Sequence, residues 1–155
     1  MANYWQDFKD AVMETVELGG DFASIDRIEH PVLTEEHGIA IIEAMANVFG
    51  RDGLTPASLA LQCARVSWEM KPVVEAIVGV PVVLTIGAVS NNGIWQFTCS
   101  GSGYENLRET GNYHVWLTLL TGEIIDLTFD GIGFLSKRYG RSPSPANRGL
   151  ARTVF

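Results

Sequence analysis

The spacing of apolar residues predicts helices in the first half of the chain. Apolar side chains recur at intervals of three and four in residues 3–18 and again after Thr34, the pattern of an amphipathic helix. Thr34 is a favourable N-cap for the second helix, and Gly50 to Gly53 are expected to end it. These two segments predict helices with one buried face each.

A third helical run follows. In Thr55-Pro56, threonine is a suitable cap and proline suits the first helical position, so a helix is expected to start there. Helix-favouring residues continue to Met70. Pro72 is expected to kink or break the run, because proline lacks an N–H and its ring clashes with the preceding turn. Residues 73–78 would then form a last helical piece.

The second half of the chain is typical of strands and tight turns. Four segments are rich in β-branched or aromatic residues, namely 81–90, 94–99, 113–120 and 123–129. Asn91-Asn92-Gly93 favours a hairpin between the first two. Helices followed by a meander predict an α+β fold, with the N-terminal helices packed on an antiparallel sheet. The length of 155 residues predicts a single domain, 1–155.

Composition narrows the function classes. The net charge of −7 argues against a general nucleic-acid binder, which needs a basic face. The start of the chain lacks a secretory signal pattern, and the apolar stretch 76–89 is too short for a membrane span. We therefore expect a cytoplasmic chain as synthesised, exported without a signal peptide if at all, with free thiols and no membrane contact.

Basic residues are concentrated at the end of the chain. Residues 136–155 hold five of the 11 lysines and arginines and none of the 18 acidic residues. Two interpretations remain open for this basic C-terminal tail. The tail lies on the acidic body of the same chain, or it is offered to an acidic partner.

Cofactor motifs are weak in this sequence. Three histidines and two cysteines show neither the HExxH pattern nor paired CxxC spacings, so no metal site is expected. The short glycine-containing stretches lack the remaining residues of a phosphate-binding loop. We expect no metal and no organic cofactor.

Cys63, His114 and Asp126 carry the most informative chemistry. A thiol becomes a good nucleophile when an imidazole takes its proton, and a carboxylate can hold that imidazole in the right tautomer. Cys63 is expected on a helix and the other two on adjacent strands. Cys99 is a rival thiol, but it is predicted within a strand, far from any helix terminus.

The turn between the last two predicted strands determines whether the histidine and the aspartate meet. A three-residue loop, residues 120–122 with Gly122 in the left-handed conformation, pairs Leu119 with Glu123. His114 and Asp126 then lie diagonally on one face of the sheet. A two-residue loop would place them on opposite faces.

These residues sit in motifs that resemble a known family. Gln62-Cys63 is followed by Gly79-Val80-Pro81 before a strand, then by His114-Val115-Trp116 and finally by Ile125-Asp126-Leu127-Thr128. This order resembles the transglutaminase-like branch of the papain-like cysteine enzymes. The resemblance covers residues 62–128. It departs from the family at Ala64, where an aromatic residue is common, and at Leu127, where proline is common.

The resemblance implies a papain-like or transglutaminase-like catalytic core at residues 62–129, preceded by a helical part, 1–61. It requires a helix entered near Gln62, with residues 55–61 forming a separate short helix or turn. Cys63 is then the nucleophile, with its N–H an oxyanion donor. His114 is the general base and acid, and Asp126 orients it. Gln62 and Trp116 are assigned to oxyanion or substrate binding, and an aromatic residue such as Trp5 stays open as the second oxyanion donor.

The implied activity is cysteine-dependent chemistry on an amide or ester carbonyl of a protein, peptide or small amide. Protease, amidase, deamidase and transglutaminase-type reactions all fit. Two other classes stay open. One is a binding module that kept the fold without the chemistry, and the other is a delivered bacterial toxin or effector enzyme using the same triad.

Overall fold

A computed structural model describes residues 4–17, 26–91, 94–97, 113–129 and 148–153. Four α-helices and five strands form in these ranges. The helices are α1 (Tyr4–Glu17), α2 (Glu35–Phe49), α3 (Pro56–Leu59) and α4 (Cys63–Val78), with a 3₁₀ turn at Arg51–Leu54. The strands are β1 (Val82–Asn91), β2 (Ile94–Phe97), β3 (His114–Leu119), β4 (Ile124–Ile125) and β5 (Arg148–Thr153). The mixture of helices and antiparallel strands confirms the α+β class.

The strands form one sheet with the order β2-β1-β3-β4, and β5 also pairs with β1. The predicted hairpin is confirmed by the antiparallel pairing of Asn91 with Ile94. Its turn residues Asn92-Gly93 lie outside the described residues, as do Cys99 and the basic residues before Arg148. β5 was not predicted. It occupies part of the basic tail and pairs antiparallel with residues 87–91.

The described chain divides into two compact units built from non-contiguous segments. The first unit contains α1, β2, β5, β1 from Thr85 onward and the first two residues of β3. In it, α1 packs on β5, and Trp5 and Phe8 lie on its buried face. The second unit contains α2, α3, α4, the start of β1, β3 from Trp116 onward and β4.

The core of the second unit is built on helix α4. The buried residues of α4 are spaced four apart, so they form one stripe along the helix: Val66, Met70, Val74 and Val78. This stripe packs in one cluster with Ile41 and Met45 of α2 and with Leu117 and Leu119 of β3.

The expected break at Pro72 is wrong, because α4 continues through this residue to Val78. Pro72 is exposed, whereas Val74 and Val78 beyond it are buried. Proline inside a helix costs about 3 kcal/mol. Full burial of an aliphatic side chain contributes about 1.5–3 kcal/mol, so the two valines offset that cost. Burial beyond the proline outweighs local propensity at this position.

The end of α4 explains one of the sequence motifs. Gly79 adopts the left-handed conformation (φ 72°), and its N–H donates to the Glu75 carbonyl oxygen at 2.9 Å. A glycine cap of this kind is the common way to end a helix. Oε1 of Glu75 also accepts the N–H of Val82 at 3.0 Å and bonds Lys71 at 2.7 Å. The glycine of the motif therefore ends α4 at the turn into β1.

The predicted N-caps are confirmed at Thr34 and Thr55. Oγ1 of Thr34 accepts the N–H of His37 at 3.3 Å, and Nδ1 of His37 accepts the N–H of Thr34 at 3.4 Å. This reciprocal pair is a capping box in which histidine takes the usual place of glutamate. His37 is therefore a capping residue.

The predicted three-residue turn between β3 and β4 is also confirmed. Leu119 donates its N–H to the Glu123 carbonyl oxygen at 2.9 Å, and Gly122 has φ 87°. Leu117 pairs with Ile125, which is the register that this turn dictates. β4 is shorter than predicted, since it ends at Ile125 rather than reaching Phe129.

The Glu123 side chain fastens the chain before α2 to this hairpin. Its carboxylate accepts the N–H of Val32 at 2.8 Å, the N–H of Leu33 at 3.2 Å and the hydroxyl of Thr121 at 2.7 Å. Burial raises the pKa of Glu123, but the hydrogen bonds lower it by more, so the pKa lies below its ordinary value. These hydrogen bonds, which we call the Glu123 clasp, therefore need the carboxylate in its charged form.

We expect Glu123→Gln to destabilise the protein by about 1–3 kcal/mol at pH 7, because charged hydrogen bonds are lost. The folded-state pKa is lowered, so the carboxylate contributes fully above the unfolded value near 4.5. That contribution is lost as pH falls through the folded pKa. Urea unfolding at pH 7 and pH 3 measures both effects, with the exposed Glu43→Gln as control. If the parent and Glu123→Gln differed in free energy of unfolding by the same amount at pH 7 and at pH 3, the proposed role of the Glu123 carboxylate would be contradicted.

Candidate functional site

Cys63 is the first residue of α4, and a separate short helix precedes it. The expected interruption between residues 55–61 and a helix entered near Gln62 is confirmed. α3 ends at Leu59, where its carbonyl oxygen accepts the N–H of Gln62 at 3.1 Å. The thiol therefore lies at a helix N-terminus rather than two turns inside a continuous helix, and the residue is partly buried.

Leu61 lies in the connection between α3 and α4. Its φ of 63° is left-handed, and it is the one non-glycine residue with positive φ among the described residues. This conformation costs roughly 1–2 kcal/mol for a residue with a Cβ. The side chain is 73% exposed, so burial of the leucine does not compensate for the strain. The strained residue lies two positions before Cys63.

Gln62 caps α4 through its backbone. Its carbonyl oxygen accepts the N–H of Val66 at 2.8 Å, which is the first such bond of the helix. The N–H groups of the residues before Val66 in the first turn have no carbonyl partner within the helix. A helix N-terminus therefore favours a negative charge close to these groups. The Gln62 side chain makes no capping hydrogen bond. A developing oxyanion beside Cys63 would therefore meet backbone donors.

Asp126 follows β4 directly and shapes the chain after it. Its Oδ1 accepts the N–H of Thr128 at 3.1 Å and lies 3.5 Å from the Thr128 hydroxyl. An aspartate that bonds the backbone two residues ahead forms an Asx turn, which ends a strand. This turn explains why β4 stops early. It also supplies a hydrogen-bond donor to Asp126 from within its own loop.

Trp116 is buried in β3, where it is 2% exposed. Leu117 pairs with Ile125. The observed pairing ends at Leu117 and Ile125, one residue short of Trp116 and Asp126, so the pairing of those two residues stays a prediction.

His114 is the first residue of β3 and is 1% exposed. Its ring stacks on Phe97 of β2, with ring centroids 5.3 Å apart and an interplanar angle of 18°. The stacking restricts how the imidazole can rotate. Both residues belong to the first unit, whereas Cys63 and Asp126 belong to the second. The approach of His114 to Cys63 and Asp126 stays a prediction.

Sequence reasoning missed two residues at this site. The strain at Leu61 has no signal in the sequence, because leucine is not a residue that favours positive φ. The stacking of Phe97 on His114 joins residues on two different strands, so no local pattern predicts it. Phe97 lies within a correctly predicted strand, which placed it in the sheet without naming its contact.

Within the described residues, no group of three or more histidine, cysteine, aspartate or glutamate side chains could hold a metal ion. In the same ranges, every helix is too short or too polar to cross a lipid bilayer.

Comparison of the chain with protein-family models, with curated proteins and with solved structures found no match.

We expect Leu61→Gly to raise the free energy of unfolding by about 0.5–1 kcal/mol. Glycine removes the left-handed strain but adds some chain entropy to the unfolded state. Leu61→Ala is the matched control, because alanine shortens the side chain and keeps the strain. Urea unfolding measures both variants. Equal stability of the two variants would show that the backbone at residue 61 stores no strain.

Proposed function

We propose that the protein is a thiol-dependent enzyme that acts on an amide or ester carbonyl through Cys63. The observation that carries this proposal is the position of Cys63 at the start of α4, directly after a strained Leu61 and a backbone cap at Gln62. Nucleophilic cysteines favour helix N-termini, because the N–H groups there attract negative charge. The resemblance of residues 62–128 to transglutaminase-like enzymes supports the same role.

The proposed reaction has two steps. Sγ of Cys63 attacks the carbonyl carbon while His114 takes the thiol proton. The bond to the leaving amine or alcohol then breaks, and His114 returns the proton to the leaving group. Water or a second amine attacks the resulting thioester, which releases the acyl product and restores the thiol. The N–H of Cys63 would donate to the oxyanion, with Gln62 as the second donor.

The β3–β4 hairpin supports the role proposed for Asp126. Residues two apart on a strand share a face, and His114 is two residues before Trp116, which would lie opposite Asp126 if the Leu117–Ile125 register continued by one residue. His114 and Asp126 would therefore lie diagonally across the hairpin, within reach of a hydrogen bond. A carboxylate has about four acceptor sites, so its bonds to Thr128 are compatible with one to His114.

The proposed core is papain-like or transglutaminase-like and covers residues 62–129. Trp116 is buried, so its proposed contribution to substrate binding is to form a wall behind the His114–Asp126 pair. Proteins, peptides and small amides are the proposed substrates. Hydrolysis and transfer to an amine share every step up to the thioester.

We expect iodoacetamide at about pH 6 to alkylate Cys63 much faster than Cys99. Iodoacetamide reacts with thiolates, and Cys63 would pass its proton to His114. Peptide mass spectrometry after timed quenching measures both rates in one sample. The control is His114→Gln, in which the proton acceptor is lost and the rate at Cys63 should fall toward that of a free thiol.

Equal and slow alkylation of both cysteines in the parent would remove Cys63 as the nucleophile. A binding module with this fold would then be the better interpretation. A fast Cys63 that His114→Gln leaves unchanged would keep the nucleophile but reject His114 as its base.

We expect Asp126→Asn to slow alkylation of Cys63 by roughly 10- to 1000-fold at pH 6. The amide favours the wrong imidazole tautomer; the corresponding change in a serine protease costs about 10⁴ in turnover, and a thiol depends less on its base. Folding should persist, because the side-chain volume is kept.

Thr128→Val is the matched variant for this test, since it removes the hydroxyl contact to Asp126 and leaves the carboxylate in place. Thermal unfolding checks both variants. An alkylation rate that Asp126→Asn leaves unchanged in a folded protein would show that Asp126 serves the turn alone.

A further inference from the structure

Helix α2 presents an apolar strip on its exposed face. Ile39 and Ile42 are 52% and 62% exposed, although they lie in the middle of a regular helix. Ala46 continues their line at a spacing of four residues, so the three side chains share one face. The neighbouring face of α2 holds Ile41 and Met45, which are buried in the core of the second unit.

Acidic residues lie along one side of the strip and at its N-terminal end. Glu35, Glu36 and Glu43 are exposed, and a helix repeat of 3.6 residues sets them on the same side as Ile39 and Ile42. α2 contains no lysine or arginine. The first two glutamates also suit the helix N-terminus, but Glu43 lies in the third turn, beyond the range of that effect. Glu36 and Glu43 therefore lie along one border of the strip, and Glu35 lies at its N-terminal end.

Gly38 adds a second, independent observation. It lies within α2 beside Ile42, and a Cβ built on it would meet no heavy atom within 4 Å. Packing inside the chain therefore gives no reason for glycine, although glycine is less favourable than alanine in a helix. Glycine lets another backbone approach the helix closely at that point.

We propose that this face of α2 is a docking surface for a basic amphipathic helix of a partner protein. Apolar side chains of the partner would cover Ile39 and Ile42, lysine or arginine would meet Glu35 and Glu43, and its backbone would approach at Gly38. The i, i+3 and i+4 spacing of the strip matches recognition of one helix by another.

The charge of the face disfavours other occupants. A second copy docking through α2 would bring two sets of three glutamates together, which costs binding energy. Phosphate groups of nucleic acids and anionic membranes carry the same sign as the glutamates and would also be repelled.

The test uses two synthetic 16-residue peptides, one of leucine and lysine and one of leucine and glutamate, both with helical spacing. Fluorescence anisotropy measures binding to the full chain at 50 and 200 mM salt. We expect the leucine–lysine peptide to bind, more weakly at high salt, and the leucine–glutamate peptide not to bind. Ile39→Ser with Ile42→Ser should weaken binding about tenfold or more. Glu43→Gln should weaken binding and reduce its salt dependence.

Val48→Ser is the matched control, because Val48 is 48% exposed on the same helix but points away from Ile39. Gly38→Ala should raise the melting temperature by roughly 2–5 °C and weaken binding of the leucine–lysine peptide. Opposite effects on stability and on binding would separate docking from folding.

Three outcomes would overturn the proposal: equal loss of binding in Val48→Ser and the isoleucine variant, binding of the leucine–glutamate peptide, and a dimer of the free chain that Ile39→Ser with Ile42→Ser dissociates.

Discussion

The buried stripe of α4 is the constraint on which the rest of the second unit depends. Four side chains at a spacing of four residues pack against α2 and β3, and they fix both the rotation of the helix and its extent. Each contributes about 1.5–3 kcal/mol when fully buried, so the stripe carries the helix past Pro72. Because the rotation is fixed, the first turn of α4 and Cys63 within it have a defined direction. Leu61, which joins α3 to this helix, has a left-handed backbone conformation with φ 63°.

The same core fixes the register of the β3–β4 hairpin. Leu117 and Leu119 are fully buried among the helices, and Ile125 and Leu127 pack on the same cluster. A slip of one residue would exchange the two faces of β4 and turn Asp126 into this apolar core. An unpaired carboxylate there would cost several kcal/mol, so the core alone excludes the slip. The turn at Gly122 and the Glu123 clasp reinforce a register that burial already requires.

The elements with strong local signals could be predicted from the sequence. The threonine caps and the left-handed Gly122 have their own backbone chemistry, so each was found where the pattern indicated it. The errors have two different causes. At Pro72, tertiary burial carries α4 past a local helix breaker. At Asp126, a local Asx turn to Thr128 ends β4 inside a run of residues that favours strands. β5 contains two arginines and a glycine and has no alternating apolar pattern that would predict a strand. It forms a strand by pairing with β1.

The candidate site was predicted to the extent that it depends on those local signals. Cys63 stands just before Val66, the first buried residue of α4, and Asp126 stands just after the last residue of β4. Both residues therefore lie at the ends of elements that the core holds in place. Such positions give a reactive group stiff support. An α+β architecture hosts many unrelated reactions, so it carries no information about the reaction here, and the chemistry must be established at Cys63 itself.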